Sequence, residues 1–425
     1  MRALCVAMLA LASCRASDGA GTIDSGRPQS APRELELVIR PLADGETGLV
    51  VRCGKLITCD AEDTIFAPGV LVVRNGRIEA AGERCGAVPA GFEVLEFPDA
   101  TVAPGLVDLH THIHSGSFAD VNDMVLPVNP EFRTSPAIVP GNRMIRRGLA
   151  GGVTTLFGIP GSGTSMSGFG VLYKSKLDTT YDEAVMADPG GLKVAEDSNP
   201  QREAGDFGVG RGALAWIIQD VNDRAKASIR AGSDDPGLAN LRKIHTKELP
   251  VLIHTAGSDG IVNTARMWRV SNDTRSTLSH GCFDAWKTSP AVIAIGMTVN
   301  NGPRTIEWFS SREGRVIGIS AEYLKNGAKN LSMNTDSPVV PQEELALQSA
   351  MSARYGADGL TMLRALTIHP AIAFGIDDRV GSLEPGKDAD LIVWNGWPLD
   401  PRSRVELAVI DGSVEYDRAR DGQIF

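Results

Sequence analysis

The stretch Pro104-Gly-Leu-Val-Asp-Leu-His110-Thr-His112-Ile-His114 is an apolar strand that runs directly into three alternating histidines. Because side chains on a strand alternate between its faces, His110 and His112 point the same way at the strand's end. Neutral imidazole is the commonest nitrogen ligand of zinc, and a catalytic ion needs about three or four ligands with one position left open. Only seven histidines occur in 425 residues. The stretch therefore predicts half of a metal site whose other ligands come from elsewhere.

Length and charge restrict the class of protein. A chain of 425 residues exceeds the roughly 250 residues of a single α/β barrel, so we expect a barrel with a smaller satellite. The net charge of −10 and a pI near 5.3 argue against nucleic acid, because binding to phosphates requires a basic surface. The expected partner is a small-molecule substrate, with a homo-oligomer as a further possibility.

The first 14 residues have the pattern of a targeting segment. Arg2 precedes an apolar run over residues 3–12, which is too short to span a bilayer. The run ends in Leu11-Ala-Ser-Cys14, which resembles a bacterial lipoprotein cleavage box and implies lipidation of Cys14. We therefore expect a lipoprotein signal peptide over 1–14, a flexible linker over 15–34 and an exported protein held by its lipid on the outer membrane, facing the periplasm. The alternative is an ordinary secretory signal that gives a periplasmic or secreted protein.

Short alternating strands bounded by Gly, Pro, Asn or Asp recur at both ends of the chain. Asn75-Gly76 is the best hairpin signal among them. We expect residues 35–100 and 380–425 to form the two parts of one small β-sandwich. Cys53, Cys59 and Cys85 lie in the first part, and the sequence does not decide whether two of them form a disulfide.

Between these parts, over residues 101–379, strands alternate with helical stretches, which predicts α/β architecture with a distorted (β/α)8 TIM barrel. The predicted strands are the histidine strand, 153–159, 170–175, 191–195, 250–257, 276–281, 291–299 and 330–338. In such a barrel functional side chains lie at the carboxyl ends of the strands. The polar residues at these ends, and thus the candidate metal ligands, are His110, His112, Lys193, His254, His280 and Asp336.

Several longer motifs resemble the amidohydrolase superfamily, in its imidazolonepropionase-like branch. These motifs are PGLVDLHTH (104–112), GGVTTLFGIPGS (151–162), LKVAEDSNPQR (192–202), NTDSP (334–338) and GSLEPGKDADLIVW (381–394), together with the LIHTAG and LSHG strands. The resemblance covers nearly everything from about residue 45 onward. It implies a metal-dependent hydrolase that uses metal-activated hydroxide to cleave a C–N bond.

The resemblance also implies a ligand set. His110 and His112 would hold one ion with Asp336, while His254 and His280 would hold a second. The expected ions are two Zn, with Mn, Fe or Co as alternatives. Lys193, converted by CO2 to a carbamate, would bridge them, because a carbamate is an anion with two oxygens whereas an ammonium cannot ligate.

The chain departs from the family pattern after Lys193, where relatives read K-M-A-x-G-E-N-P and this chain reads KVAEDSNP. Glu196 is therefore an alternative bridge, and Lys174 is a weaker one. In the third-strand motif, the chain has Ser167-Gly-Phe-Gly170 where relatives read G-G-Q-G. This second departure concerns substrate selection.

The proposed base is Asp336, which would take a proton from water and deliver it to the leaving nitrogen. Tyr173, Arg143 and His114 are candidate substrate contacts. Three functions stay open: a binuclear hydrolase of a dipeptide or N-acyl amino acid, a mononuclear deaminase or cyclic-amide hydrolase, and a lipoprotein that only binds a ligand.

Overall fold

The computed structural model describes residues 36–116, 121–122, 125–201, 210–303, 305–307 and 314–425. The expected signal peptide, the linker and Cys14 lie outside these ranges and remain predictions. None of the helices in the described ranges is long and apolar enough to cross a bilayer.

The chain enters the fold through short strands joined by tight turns. The turn at Asn75-Gly76 has positive φ at both residues, +50° and +75°, as a two-residue hairpin with the right twist requires. Apolar residues alternate along the second strand, so that Leu49 and Val51 belong to one core cluster and Val50 to another. The strands are β1 (Glu36–Leu37), β2 (Gly48–Ile57), β3 (Ile65–Phe66), β4 (Gly69–Arg74), β5 (Arg77–Gly82), β6 (Arg84–Cys85) and β7 (Phe92–Pro104).

The histidine strand follows β7 after a single residue, Gly105. A side chain there would meet the Thr154 hydroxyl at 2.0 Å, so only glycine lets the strands approach this closely. The strands that follow are β8 (Leu106–Thr111), β9 (Val153–Gly158), β10 (Met166–Lys174), β11 (Val185–Ala195), β12 (Val251–Thr255), β13 (Ser276–His280), β14 (Thr298–Asn301), the antiparallel pair β15 (Ile306–Glu307) and β16 (Ile317–Gly318), and β17 (Ser332–Met333).

Eight of these strands form the predicted barrel, in the order β17-β14-β13-β12-β11-β10-β9-β8. The backbone N–H of His112 donates to the Ser337 carbonyl at 2.8 Å and Thr111 bridges to Ser337, which brings the two end strands together. The prediction of a distorted α/β barrel is confirmed.

The expectation that the third strand runs parallel to its neighbours is wrong. β10 pairs antiparallel with both β9 and β11. Its carboxyl end, with Tyr173 and Lys174, therefore lies at the opposite end of the barrel from the carboxyl ends of the other strands. Strand periodicity does not encode direction, because an antiparallel strand alternates faces in the same way.

Most of the helices bury apolar residues on one face. The first begins at Asn142, whose side chain accepts from the backbone N–H groups of Met144 and Ile145, and it buries Ile145 and Leu149. Each such side chain contributes about 1.5–3 kcal/mol by burial. The helices are α1 (Arg143–Ala150), α2 (Tyr181–Ala184), α3 (Gly210–Ala231), α4 (Ala239–His245), α5 (Ile261–Ala265), α6 (Ser289–Ala294), α7 (Ile319–Lys325), α8 (Leu345–Arg354), α9 (Gly359–Arg364), α10 (Ile368–Phe374) and α11 (Arg418–Asp421).

The chain ends in the strands β18 (Leu391–Trp394), β19 (Val405–Ile410) and β20 (Ser413–Asp417). These strands extend the first β-segment, because β18 pairs with β7 and gives the order β20-β19-β18-β7-β2-β4-β5. Leu391 and Val409 share a core cluster with Leu49 and Val51. Both ends of the chain therefore form one β module, as predicted.

A buried ion cluster joins the β module to the barrel. The Lys174 ammonium, at the carboxyl end of β10, donates to Asp388 at 2.8 Å, to Asp390 at 3.1 Å and to Asp411. Lys174, Asp388 and Asp390 are almost fully buried. The two aspartates of the GKDADLIVW motif thus hold the barrel strand against the module, and Lys174 is not a metal bridge.

Candidate metal centre

The first half of the site lies where β8 ends. His110 and His112 are both buried, and their ring centroids are 5.3 Å apart. The Nε2 atoms of both rings lie 3.2 Å from Oδ1 of Asp336, which follows β17. The closure of the barrel between β8 and β17 thus brings the late aspartate to the early histidine pair.

The second half comes from the ends of the neighbouring strands β12 and β13. The Nδ1 atom of His254 lies 2.7 Å from Nε2 of His280, and the His280 ring lies 4.5 Å from that of His110. Both His280 and Asp336 have positive φ, +105° and +49°. Non-glycine residues in such conformations are uncommon and concentrate at functional sites, where the surrounding structure holds them.

Groups behind the rings fix which nitrogen carries the proton. Nδ1 of His112 faces the Ile159 carbonyl at 3.2 Å, and Nδ1 of His280 faces the Gly302 carbonyl at 2.7 Å. Because a carbonyl can only accept, each Nδ1 donates and each Nε2 keeps its lone pair. Nε2 of His254 faces the amide oxygen of Asn199 at 3.2 Å, which leaves the lone pair on Nδ1.

The facing nitrogens of His254 and His280 therefore present two lone pairs to each other. Burial, above all, lowers the pKa of His254 well below its usual range and also lowers the pKa of His280. Protonation of either ring is thus disfavoured. Nε2 of His110 is buried as well, with no hydrogen-bond partner in the described part of the chain. Three converging lone pairs without a proton fit a divalent cation.

Asp336 supplies the negative charge. Burial raises the pKa of its carboxyl, whereas a proton carried toward it by His110, His112 or His280 lowers that pKa to well below the usual range, and a bound cation would have the same effect as such a proton. Two overlapping sets of possible ligands result among the described residues, His110 with His254 and His280, and His110 with His112 and Asp336. His110 belongs to both sets.

Lys193 lies beside this cluster on β11, where its neighbour Ala195 pairs with His254. Its side chain is fully buried, and its ammonium donates to Ser162 Oγ at 2.8 Å. The positive charge of Lys193 also contributes to the lowered pKa of His110 and of His254. Lys193 is therefore the β11 lysine that faces the histidines.

Glu196, the alternative bridge, points elsewhere. Its carboxylate accepts from the Trp268 indole N–H and from the Thr264 hydroxyl, which lies at 3.1 Å. Burial raises the pKa of this carboxyl, and no cation is among the causes of the shift. Glu196 is absent from both sets of possible ligands. The geometry therefore favours Lys193 over Glu196.

One supporting residue was overlooked in the sequence, although it is part of the quoted strand. Asp108 is fully buried, accepts from the backbone N–H of His110 at 3.1 Å and accepts from the hydroxyl of Thr335. It thus links the strand of the histidine pair to the residue before Asp336. Burial raises its pKa to about 6. Its place inside an apolar strand was the available signal.

The three candidate substrate contacts separate in the structure. Tyr173 is fully buried on the reversed strand β10, and its ring lies against Gly158 at the end of β9, so its role as a substrate contact stays a prediction. His114 is buried, and its carbonyl accepts from Val139 N–H at 2.7 Å. Arg143 is exposed at the start of α1. The structure brings none of them into the ligand sets.

Four thiols are described. Cys53, Cys59 and Cys282 are buried and Cys85 is half-buried, and all four are free. The disulfide considered for the first β-segment does not form among these residues.

Comparisons with known proteins place these features in context. The model of the amidohydrolase family matches residues 221–416. An amidohydrolase of Hapsidospora irregularis is 21% identical, and the match covers 82% of this chain but only 40% of that protein. An imidazolonepropionase of Sphingopyxis alaskensis is 23% identical, with 87% of this chain and 96% of that enzyme covered. The crystal structure of an amidohydrolase from Thermotoga maritima is similar with a TM-score of 0.77 and 29% identity, and 87% of this chain and all of that one are covered.

Proposed function

Because the chain belongs to the amidohydrolase superfamily and is imidazolonepropionase-like, we propose that it is a metal-dependent hydrolase that cleaves an amide C–N bond. The observation that carries this proposal is the convergence of unprotonated imidazoles on one ionised carboxylate, with lone pairs that face each other. A divalent ion bound there would polarise a substrate carbonyl and lower the pKa of water from about 15.7 toward 7.

We propose that two ions bind, since the donors form two overlapping sets. His110, His112 and Asp336 would hold one ion, and His254 and His280 the other. Zn is the expected metal, because imidazole and carboxylate ligands suit it, with Mn, Fe or Co as alternatives.

The surroundings of Lys193 support its carboxylation. A buried ammonium beside a cation site repels the ion, and the described structure gives it a hydroxyl, Ser162 Oγ, as hydrogen-bond partner. If the ammonium loses a proton, the resulting amine can form an N–C bond to CO2 and release a second proton, which replaces the positive charge by a negative carbamate. The change of sign would turn an obstacle to metal binding into a bridging ligand.

Asp336 is the proposed proton carrier. Its carboxylate would stay ionised beside a divalent cation, which favours the charged form, so it would be ready to accept a proton from water and later to donate it to the leaving nitrogen. Its side chain keeps 18% of its surface exposed, whereas His110 keeps none. A proton can therefore reach it from the open side of the site.

The preferred substrate is a dipeptide or an N-acyl amino acid. A second candidate, a mononuclear hydrolase of a cyclic amide or a deaminase, is favoured by the likeness to imidazolonepropionases over most of their length. The two functions differ in the number of ions, which makes metal content the first discriminating measurement.

The test uses the soluble chain that begins after Cys14, with Asp336→Asn as the variant. Elemental mass spectrometry on the wild type should give near two ions per chain, and near one would favour the second candidate. Because the amide keeps an oxygen ligand but cannot take the proton, Asp336→Asn should retain metal and lose about 10²–10⁴-fold in turnover on the identified amide substrate. A fully active Asp336→Asn protein would refute its role as base. Wild-type protein that contains no metal would favour the third function, a lipoprotein that only binds a ligand.

We further propose that Cys14 carries the lipid that anchors the exported protein, on the basis of residues 1–14. Cys14→Ala should move the full-length protein from the membrane fraction to the soluble fraction of cells and abolish incorporation of labelled fatty acid. Unchanged labelling would refute the proposal.

A further inference from the structure

Each of the four imidazoles in the site has a partner on the ring nitrogen that faces away from it. For His112, His280 and His254 this partner is a carbonyl or amide oxygen, which accepts only. For His110 it is a hydroxyl, Ser279 Oγ, at 2.6 Å from Nδ1. A hydroxyl can donate as well as accept, so the state of His110 depends on Ser279 in a way that the other three rings do not share.

Ser279 occupies a central position relative to the ligands. It directly precedes His280 on β13, and it pairs in register with His254 on β12. Its hydroxyl reaches across the barrel to His110 on β8. Both Ser279 and His110 have no exposed surface. Ser279 is thus the chain neighbour of His280, the strand partner of His254 and the hydrogen-bond partner of His110.

We propose that Ser279 is a positioning residue that holds His110 with its Nε2 lone pair directed at the ion, an inference that rests on the proposed metallohydrolase function. When Nδ1–H donates to Ser279 Oγ, Nε2 is unprotonated and lies 3.2 Å from Asp336 Oδ1. Without that acceptor, Nδ1–H would be buried without a partner, and the ring would favour the tautomer that places its proton in the site. Because His110 is common to both sets of possible ligands, the loss weakens metal binding at this site.

Loss of such an outer hydrogen bond typically weakens metal affinity about 10–100-fold. We expect this weakening for Ser279→Ala. Ser279→Thr keeps the hydroxyl, whereas the valine of Ser279→Val has the shape of threonine but no hydroxyl. Comparison of these two variants therefore distinguishes loss of the hydrogen bond from a change in packing. Ser276→Ala is the matched control, since Ser276 is a buried serine of the same strand whose hydroxyl lies 2.5 Å from that of Thr274.

The experiment is a titration of the full metal-free chain with Co(II) alone, followed by visible absorption, with bound Co(II) counted after desalting. Ser279→Ala should bind Co(II) about 10–100-fold more weakly than wild type, with altered bands at saturation. Ser279→Thr should restore binding relative to Ser279→Val, and Ser276→Ala should match wild type.

Two results would overturn the inference. If Ser279→Ala binds with wild-type affinity and spectrum, or if Thr and Val weaken binding equally, Ser279 does not position His110. Should Ser279→Ala fail to fold, the Thr and Val pair decides alone. A wild type that binds no Co(II) would instead refute the metallohydrolase function itself, so the two failures are distinguishable.

Discussion

Two buried lysines on neighbouring strands, Lys174 and Lys193, should respond to the same substitution in opposite ways. Lys174 lies among three carboxylates, and removal of one partner of a buried ion pair costs about 3–5 kcal/mol. Two of its partners keep a cation, since Asp388 pairs with Arg379 at 2.7 Å and Asp411 pairs with a second lysine, also at 2.7 Å. Only Asp390 loses its one cationic partner among the described residues, so we expect the lower end, about 3 kcal/mol, for Lys174→Met.

This loss can be expressed as a melting temperature. Unfolding entropy is about 2.1 cal/mol/K per residue, or roughly 0.9 kcal/mol/K for a chain of 425 residues, so Lys174→Met should lower Tm by about 3 °C when the protein unfolds as one unit. Lys176→Met is the matched control, because its partly exposed ion pair with Asp411 contributes at most about 1 kcal/mol.

Lys193→Met should instead act on the metal site, because a thioether cannot be carboxylated and the proposed bridging ligand would be lost. It should lose bound metal, which Lys174→Met should retain. Differential scanning calorimetry of the metal-free proteins measures the change in Tm, and elemental mass spectrometry of the metal-loaded proteins measures the metal content of the two variants. If Lys174→Met lost its ions at unchanged Tm, the assignment of the two lysines would be refuted.

Three further outcomes are expected. His110→Ala and His112→Ala should each leave about one ion per chain, because each removes a ligand of the ion proposed for His110, His112 and Asp336 and not of the ion proposed for His254 and His280; two ions per chain in elemental analysis of either variant would contradict this. Burial raises the pKa of Asp108 to about 6 from an ordinary value of 3.8, so its contribution to stability is present below about pH 4 and is lost as the pH rises through 6. Asp108→Asn should therefore gain about 2–3 kcal/mol relative to wild type between pH 4 and pH 7 in urea unfolding of the metal-free protein, and parallel pH profiles would refute the reasoning. In thiol titration with a disulfide reagent, Cys85 should react in the native protein, whereas the buried thiols of Cys53, Cys59 and Cys282 should react only on unfolding. Burial also raises the pKa of Cys53 and of Cys59 to about 12, which keeps them as unreactive thiols.

The barrel and the joint β module followed from the sequence because their signals are local. Alternation of apolar residues, the Asn75-Gly76 turn and polar residues at strand ends are each decided within a few positions. The strand ends also indicated which side chains meet, since carboxyl ends of parallel strands lie at one end of a barrel. The meeting of Asp336 with His110 followed from that rule.

The sequence did not indicate the direction of each strand or the distant residues that each buried polar side chain contacts. The reversal of β10 leaves no trace in its alternation of apolar residues, so the sequence did not reveal that this strand runs antiparallel to β9 and β11. The apolar run 291–299 suggested a strand, yet Ser289–Ala294 is helix α6 and only Thr298–Asn301 is strand; short apolar runs do not distinguish the two. The partners Thr335 of Asp108 and His110 of Ser279 lie far along the chain, so no local pattern identifies them, although the place of Asp108 inside an apolar strand marked it as unusual.

The strand β7 lies between β2, from the start of the chain, and β18, from its end, and the histidine strand begins one residue after it. Synthesis on the ribosome delivers every proposed metal ligand by residue 336, but β18 begins only at Leu391. Until β18 has been synthesised, one edge of β7 has no strand to pair with, and the carboxylates of Asp388 and Asp390 are not yet available to Lys174. Such distant pairing makes folding slow and leaves an aggregation-prone edge exposed. A nascent chain can thus contain all of its proposed ligands before the strands that complete their supporting sheet have been synthesised.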